Sequence, residues 1–132
     1  MRVISGNLKG RLINFIKNSN TRPLKDSVKE SIFNILDHSN LLKTEIKNSN
    51  ILDLYSGIGS FGIECISRSA KKVTFVEHNI NSAKILKENL IKLSILDKSK
   101  VYNGTAETFL SKKTNEKFNI FFWTLHLLTI SF

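Results

Sequence analysis

The segment Asp53-Leu-Tyr-Ser-Gly57-Ile-Gly59-Ser-Phe-Gly62 sets a carboxylate ahead of three closely spaced glycines. Glycines in the pattern Gly57-x-Gly59-x-x-Gly62 let a backbone turn tightly and let a ligand approach it closely. A second acid, Glu77, ends the next apolar run, where a carboxylate accepts hydrogen bonds from ribose hydroxyls. The chemistry on offer is the binding of a nucleotide-like cofactor, and two classes fit. A dinucleotide would rest its pyrophosphate on a helix N-terminus, where Asp53 would repel it. S-adenosylmethionine carries an ammonium and a sulfonium and no phosphate, so the same acid attracts it. Asp53 therefore favours S-adenosylmethionine over NAD.

Such a loop needs a strand before it and a helix after it. Ile51–Leu54 reads as the strand and Phe61–Arg68 as the helix. Lys72–Glu77 is a second strand, Asn81–Leu93 a helix with an apolar side of Ala83, Ile85, Leu86, Leu90 and Leu93. Lys100–Asn103 is a short strand, Ala106–Leu110 a short helix and Phe118–Phe122 a fourth strand. This alternation predicts an α/β fold with a parallel sheet and helices on its faces. Ahead of it, Arg2–Ser5 and Arg11–Phe15 read as two short strands around a Gly6–Gly10 turn. A helix begins near Val28, with Val28, Ile32, Phe33 and Leu36 on one face. The chain divides into a basic hairpin and helix (1–50), the first half of a cofactor-binding sheet (51–122) and a tail (123–132).

With 132 residues and 41% hydrophobic content, the chain can bury one core. No apolar run reaches the roughly 20 residues of a membrane span, and the N-terminus lacks a signal-peptide core. A single cysteine, Cys65, excludes an internal disulfide and a cysteine-rich metal site, and no metal ligand set is expected. A cytoplasmic protein is the expectation. The net charge is +9, and residues 1–25 carry Arg2, Lys9, Arg11, Lys17, Arg22 and Lys25 with no acid. Such a segment is drawn to phosphate backbones. Cys65 is read as packing, and His38 and His78 as exposed loop residues.

Gly57-Ile-Gly59-Ser-Phe-Gly62-Ile-Glu64-Cys-Ile-Ser67-Arg68-Ser-Ala70 resembles the signature of the RsmD family, bacterial methyltransferases acting on a guanine of small-subunit ribosomal RNA. Met1-Arg2-Val3-Ile4-Ser5-Gly6, Gly10-Arg11, Thr21-Arg22-Pro23 and Asp26-x-Val28-Lys29-Glu30-x-Ile32-Phe33-Asn34-x-Leu36 resemble that family's opening, so the likeness runs to about residue 122. It implies a Rossmann-like methyltransferase fold and transfer of a methyl from S-adenosylmethionine to the exocyclic 2-amino group of guanine. It also implies that Asp53, Gly57 and Gly59 line the methionine end of the cofactor, with Tyr55 among the binding residues. Glu77 would then meet the ribose, and Asn103–Ala106, including Thr105 and Ala106, would lie near the adenine. Arg2, Lys9, Arg11, Arg22 and Lys29 would face RNA, and the protein would act as a monomer on free RNA or an assembled subunit. Leu24, Ser69 and Thr105 stand where the family commonly has a threonine, a glycine and an acid. A DNA amino-methyltransferase and a non-catalytic cofactor- or RNA-binding module are the rival readings.

The resemblance fails after Phe122. The family's fourth strand closes with Asp-Pro-Pro-Phe or Asp-Pro-Pro-Tyr, which offers acceptors to an exocyclic amine and an aromatic face to a flipped base. Trp123-Thr-Leu-His-Leu follows here instead, so no catalytic residue is assigned and His126 is given no role. Those residues can be written TGG ACC CTC CAT TTA. Read one base earlier, after a T, the letters become TTG GAC CCT CCA TTT, or Leu-Asp-Pro-Pro-Phe. We read the tail as the product of a shifted frame in a truncated, inactive copy. The strands read above would cover only the first part of the family's sheet, leaving an open edge and a poorly soluble or partly unfolded chain. Sequencing the gene across codons 118–132 should reveal Asp-Pro-Pro-Phe in the adjacent frame, and its absence there would refute the shift.

Overall fold

The computed structural model describes residues 1–16, 26–38, 45–112 and 115–123. Helix α1 (Asp26–His38) precedes strand β1 (Asn50–Leu54), helix α2 (Ser60–Ser67) and strand β2 (Lys72–Glu77). Helix α3 (Ile80–Lys92), a 3₁₀ turn (Leu96–Lys98), strand β3 (Ser99–Asn103), helix α4 (Ala106–Ser111) and strand β4 (Ile120–Trp123) follow. Among the described residues the strands form one parallel sheet in the order β3-β2-β1-β4. From α1 onward the strand and helix order read from the sequence is thus present, with ends shifted by a residue or two.

The central strands β1 and β2 are buried on both faces, which is why they read as nearly unbroken apolar runs. Alternation sorts their side chains between two cores. Ile51, Val73, Phe75, Ile120 and Phe122 face α1, α2 and α3, while Leu52, Leu54 and Val76 face α4 with Ala106 and Phe109. Strand β4 is the last strand on its side of the described sheet and shows a half-covered pattern, with Phe121 exposed and Phe122 buried. Burial therefore alternates along β4 where along β1 it does not.

Residues 1–16 form an arm that folds back on itself and lies over α2. A single antiparallel bridge, Arg2 to Leu12, replaces the two strands expected from the sequence. The pairing is completed by Val3 N–H to Arg11 O and Ile13 N–H to Met1 O at 2.9 and 3.0 Å. Much of the arm's remaining backbone bonds to α2, so it cannot extend a ladder. Asn7 N–H donates to Ser67 O at 2.8 Å and Leu8 N–H to Ser67 Oγ at 2.9 Å. This cover explains why all residues of α2 are buried, its polar Glu64 and Ser67 included.

Helix α1 also departs from expectation. Its inward face centres on Lys29 and Phe33, and Val28 is 42% exposed. A fully buried lysine is invisible to a periodicity argument that counts apolar residues. On α3 the buried face includes Asn89 in the same way, between Leu86 and Leu90.

Gly6 shows how closely the arm approaches α2. It has φ of +87°, and a Cβ there would stand 1.9 Å from Ser67 O. Gly10 has a similar φ of +84° but nothing within 4 Å of a Cβ. Gly6→Ala should cost about 2–3 kcal/mol through strain and the lifted arm, and Gly10→Ala about 1 kcal/mol from strain alone. Urea denaturation of the two variants measures the difference.

Candidate cofactor site

Strand order reverses about β1, since β2 lies on one side of it and β4 on the other. In open α/β sheets, ligands bind beyond the carboxyl ends of the strands at such a switch point. The loop after β1 turns there through Tyr55, Gly57 and Gly59, whose φ values are +56°, +58° and +96°. Tyr55 is a bulky residue in the left-handed region, a strained conformation that concentrates at functional sites. Its ring stacks on Trp123 at the end of β4, 5.8 Å between centroids and 13° between planes. Its hydroxyl donates to Glu107 at 3.3 Å.

The three glycines serve different ends. A Cβ at Gly62 would stand 2.3 Å from the Phe75 ring, and one at Gly59 would stand 2.4 Å from Leu86 Cδ1. Gly62 is glycine because α2 packs closely on β2 there, and Gly59 because α3 crosses it. Gly57 has nothing within 4 Å of a Cβ, so its side of the loop is open.

Asp53 sits in the row of Ile51, Phe75 and Phe122, a core position, and is fully buried. Among the described residues neither of its carboxylate oxygens accepts a hydrogen bond of normal geometry, and the buried Ser56 Oγ is also without a partner. Burial pushes the Asp53 carboxyl up from 3.8 to about 8; the Gly62 N–H dipole opposes the shift and the Glu77 charge adds to it. Buried polar atoms are normally satisfied. Three unpaired buried oxygens within four residues, at the end of β1 and the start of the glycine loop, are polar capacity that the described residues leave unused.

Glu77 is nearly buried and holds the loop from the next strand. Its Oε1 accepts from Gly57 N–H at 2.9 Å and its Oε2 from Asn79 N–H at 2.8 Å. Exposed His78 sets its Nδ1 3.6 Å from Glu77 Oε2. Asn103 donates through Nδ2 to the backbone oxygens of Glu77 and His78 at 2.9 and 3.4 Å. The structure thus gathers Asp53, Tyr55, Gly57, Gly59 and Glu77 around one loop.

The remaining assignments fare differently. Thr105 caps α4, its Oγ1 accepting from Thr108 N–H at 3.0 Å, while the Ala106 side chain is buried in the second core. Only their backbone and a committed hydroxyl remain to meet a ligand. Lys29 cannot face RNA, because it is fully buried. Its Nζ donates to Arg2 O at 2.9 Å and Ser60 Oγ at 3.1 Å, and lies 3.4 Å from Glu64 Oε1. Burial lowers its pKa, and Glu64 works against that shift. Arg2, Lys9 and Arg11 are exposed; Arg2 pairs with Asp26 at 3.5 Å and Arg11 reaches Lys92 O at 3.3 Å. Arg22 and the tail from Thr124 onward lie outside the described residues. Cys65 is buried as packing; His38 and His78 are exposed, His78 in a loop and His38, against expectation, in the last turn of α1. No helix of the described residues is long and apolar enough to cross a membrane, and no cluster of metal-ligating side chains occurs among them.

Sequence reasoning missed Ser56 and Asn89. Ser56 gives no signal beyond its place in the loop. Asn89 gives one, an amide within an apolar helical stripe. Its Nδ2 donates to the backbone oxygens of Asn14 and Ile58, both at 3.1 Å, and its Oδ1 accepts from Asn14 N–H at 2.8 Å.

Residues 1–124 match the family model described as Conserved hypothetical protein 95. The chain is 37% identical over 120 residues to Ribosomal RNA small subunit methyltransferase D of Buchnera aphidicola, covering 91% of this chain and 59% of that protein. It is 37% identical over 117 residues to the protein of that name from Haemophilus influenzae, covering 88% and 58%. The chain thus spans less than two thirds of these relatives' length. The solved structure of the Escherichia coli protein yhhF superposes with a TM-score of 0.72 at 31% identity, over 86% of this chain and 57% of that one. A SAM-dependent methyltransferase from Thiobacillus denitrificans, solved with S-adenosyl-L-homocysteine, shares the fold with a TM-score of 0.59 at 17% identity, over 76% and 36%.

The buried acid has a consequence for stability. The folded chain keeps the Asp53 proton to about pH 8, whereas the unfolded chain loses it near 3.8. Between those values unfolding releases a proton, so stability falls as pH rises. Denaturation midpoints measured from about pH 5 to 8 should decline for the native chain, and Asp53→Asn should remove that part of the slope.

Proposed function

The chain belongs to the family described as Conserved hypothetical protein 95, the RsmD family, and on that footing we propose that its glycine loop binds S-adenosylmethionine, the cofactor with which this lineage methylates a guanine amine in small-subunit ribosomal RNA. The observation that carries this reading is the pair of orphaned Asp53 oxygens below the loop. A buried acid that holds its proton to about pH 8 can ionise once a cation or strong donor completes it. The ammonium of the cofactor's methionine end is such a group, and Ser56 Oγ, buried without a partner at the start of the same loop, is a further acceptor. A pyrophosphate carries no proton donor or cation to complete Asp53 and would oppose its ionisation, which argues against a dinucleotide in the same loop.

The other residues follow. Gly57, open on one side, lets the ligand reach the backbone. Each Glu77 oxygen has one lone pair engaged by the chain, at Gly57 and at Asn79, and a second left for a ribose hydroxyl. When bound, S-adenosylmethionine supplies a methyl group on a sulfonium, electrophilic toward an amine. What this chain contributes is binding and orientation. The groups that would accept the amine's hydrogen bonds in the family's Asp-Pro-Pro-Phe are absent after Phe122, where Trp123-Thr124-Leu125-His126 stands. That favours a second reading for the chain as given: cofactor and RNA binding without transfer.

Calorimetric titration should detect S-adenosylmethionine and S-adenosylhomocysteine binding. Asp53→Ala should weaken both by about 10- to 100-fold, the worth of a buried charge-assisted contact. Unchanged binding in that variant would reject the site. Incubation with radiolabelled cofactor and unmethylated small subunits should give no transfer, and labelled RNA would instead favour the enzymatic reading.

A further inference from the structure

Asn89 and Lys29 are both fully buried, and each bonds to the arm on one side and to the glycine loop on the other. Asn89 joins Asn14 N–H and O to Ile58 O, and Lys29 joins Arg2 O to Ser60 Oγ. Ile58 and Ser60 flank Gly59, so the two bridges grip the loop at successive points of the turn beside Asp53. A buried donor or acceptor left without its partner is costly. The arm therefore cannot lift without stripping partners from both side chains, and the loop cannot reshape without disturbing the arm's attachment. The arm carries Lys9 and Arg11, which are exposed and form no ion pair among the described residues. These are the cations that a phosphate backbone would meet.

We propose that Asn89 and Lys29 are positioning residues that make the glycine loop and the basic arm one binding unit, so that a filled loop holds the arm docked and RNA binds that state more tightly. This rests on the proposed function, in which the loop takes S-adenosylmethionine and RNA is the substrate. Two states suffice: arm docked on a closed loop, and arm loosened with the loop open. A cofactor that binds the closed loop favours the docked state. Linkage then requires RNA and cofactor to raise each other's affinity by one common factor. Neither residue need touch cofactor or RNA.

The test is a ligand cycle on the full chain. Affinity for purified small-subunit ribosomal RNA is measured with and without saturating S-adenosylhomocysteine, and affinity for S-adenosylhomocysteine with and without that RNA. We expect about tenfold tighter binding in both directions for the native chain. Asn89→Ala and Ser60→Ala should each reduce the factor to about twofold or less while RNA and cofactor still bind singly. Ser60→Ala removes only one hydroxyl and keeps the test open should Asn89→Ala not fold. In parallel, the exchange of the Asn14 and Ile4 amide protons should slow when S-adenosylhomocysteine is added. A variant that is merely less stable would melt earlier and keep its factor. Equal RNA affinity with and without S-adenosylhomocysteine, or a tenfold factor retained in both variants, would overturn the proposal while leaving the proposed function standing. Failure of either ligand to bind the native chain would remove both.

Discussion

The Glu64 carboxylate is the contact on which the first half of the chain depends. It is fully buried on α2 and accepts Ile4 N–H at 2.8 Å, Ser5 N–H at 3.0 Å and Arg68 Nε at 2.9 Å, with Lys29 Nζ at 3.4 Å. Arg68 extends the network to Asp37 at 2.9 Å and lies over the Phe33 ring, 4.4 Å from its centroid. One acid thereby fixes the arm, both ends of α1 and the outer face of α2. Buried ion pairs contribute little net stability against apolar replacements of equal volume, yet losing one partner strands a charge. Their use here is directional. Apolar contacts alone would let the arm slide over α2, whereas two amide bonds to one carboxylate set its register.

Glu64 and Asp53 are both buried acids, and their contrast argues for function. Glu64 is surrounded by donors and two cations, so it is completed by the chain itself. Asp53 has no such partner among the described residues, and burial holds its carboxyl near 8. If Asp53 served packing alone, an apolar residue would fill its place between Ile51 and Phe122 without the desolvation cost. A polar group kept at a cost, at the switch point of a parallel sheet, is what a ligand site left to be completed by its ligand looks like. The glycines sharpen this. Gly59 and Gly62 are explained by helix packing, so the pattern owes only Gly57 to the open side of the loop, and Asp53 carries more of the functional argument than the glycines do.

What was legible in the chain follows from the same physics. The parallel sheet could be read because β1 and β2 are covered on both faces and so are written as apolar runs between helical periodicities. Asp53 could be read as an acid inside an apolar strand ahead of glycines, and Glu77 as an acid ending the next strand; the structure places Asp53 in the core and Glu77 on the Gly57 N–H. The arm could not be read as it is. Its strands are reduced to one bridge because its amides bond to Glu64 and Ser67, some sixty residues away, and no local pattern encodes such distant partners. Lys29 misled for a related reason. A lysine is assigned to solvent by type, and only the tertiary position of Glu64 turns it inward. Asn89 went unseen because a stripe defined by apolar residues passes over the amide embedded in it.

The same redistribution changes the meaning of the charge. A net +9 suggests a basic surface throughout, but the cations do not act alike. Lys29 and Arg68 are consumed inside the arm–α1–α2 junction, Arg2 is countered by Asp26 and Lys100 by Glu116. Lys9 and Arg11 remain uncompensated on the arm. Attraction to a polyanion depends on local potential more than on net charge, so the arm is the part of the described chain that the electrostatics single out. It is also the part fastened to the loop by Asn89 and Lys29. The buried polar groups that deprive the surface of some cations thus hold the remaining ones in a fixed relation to the glycine loop.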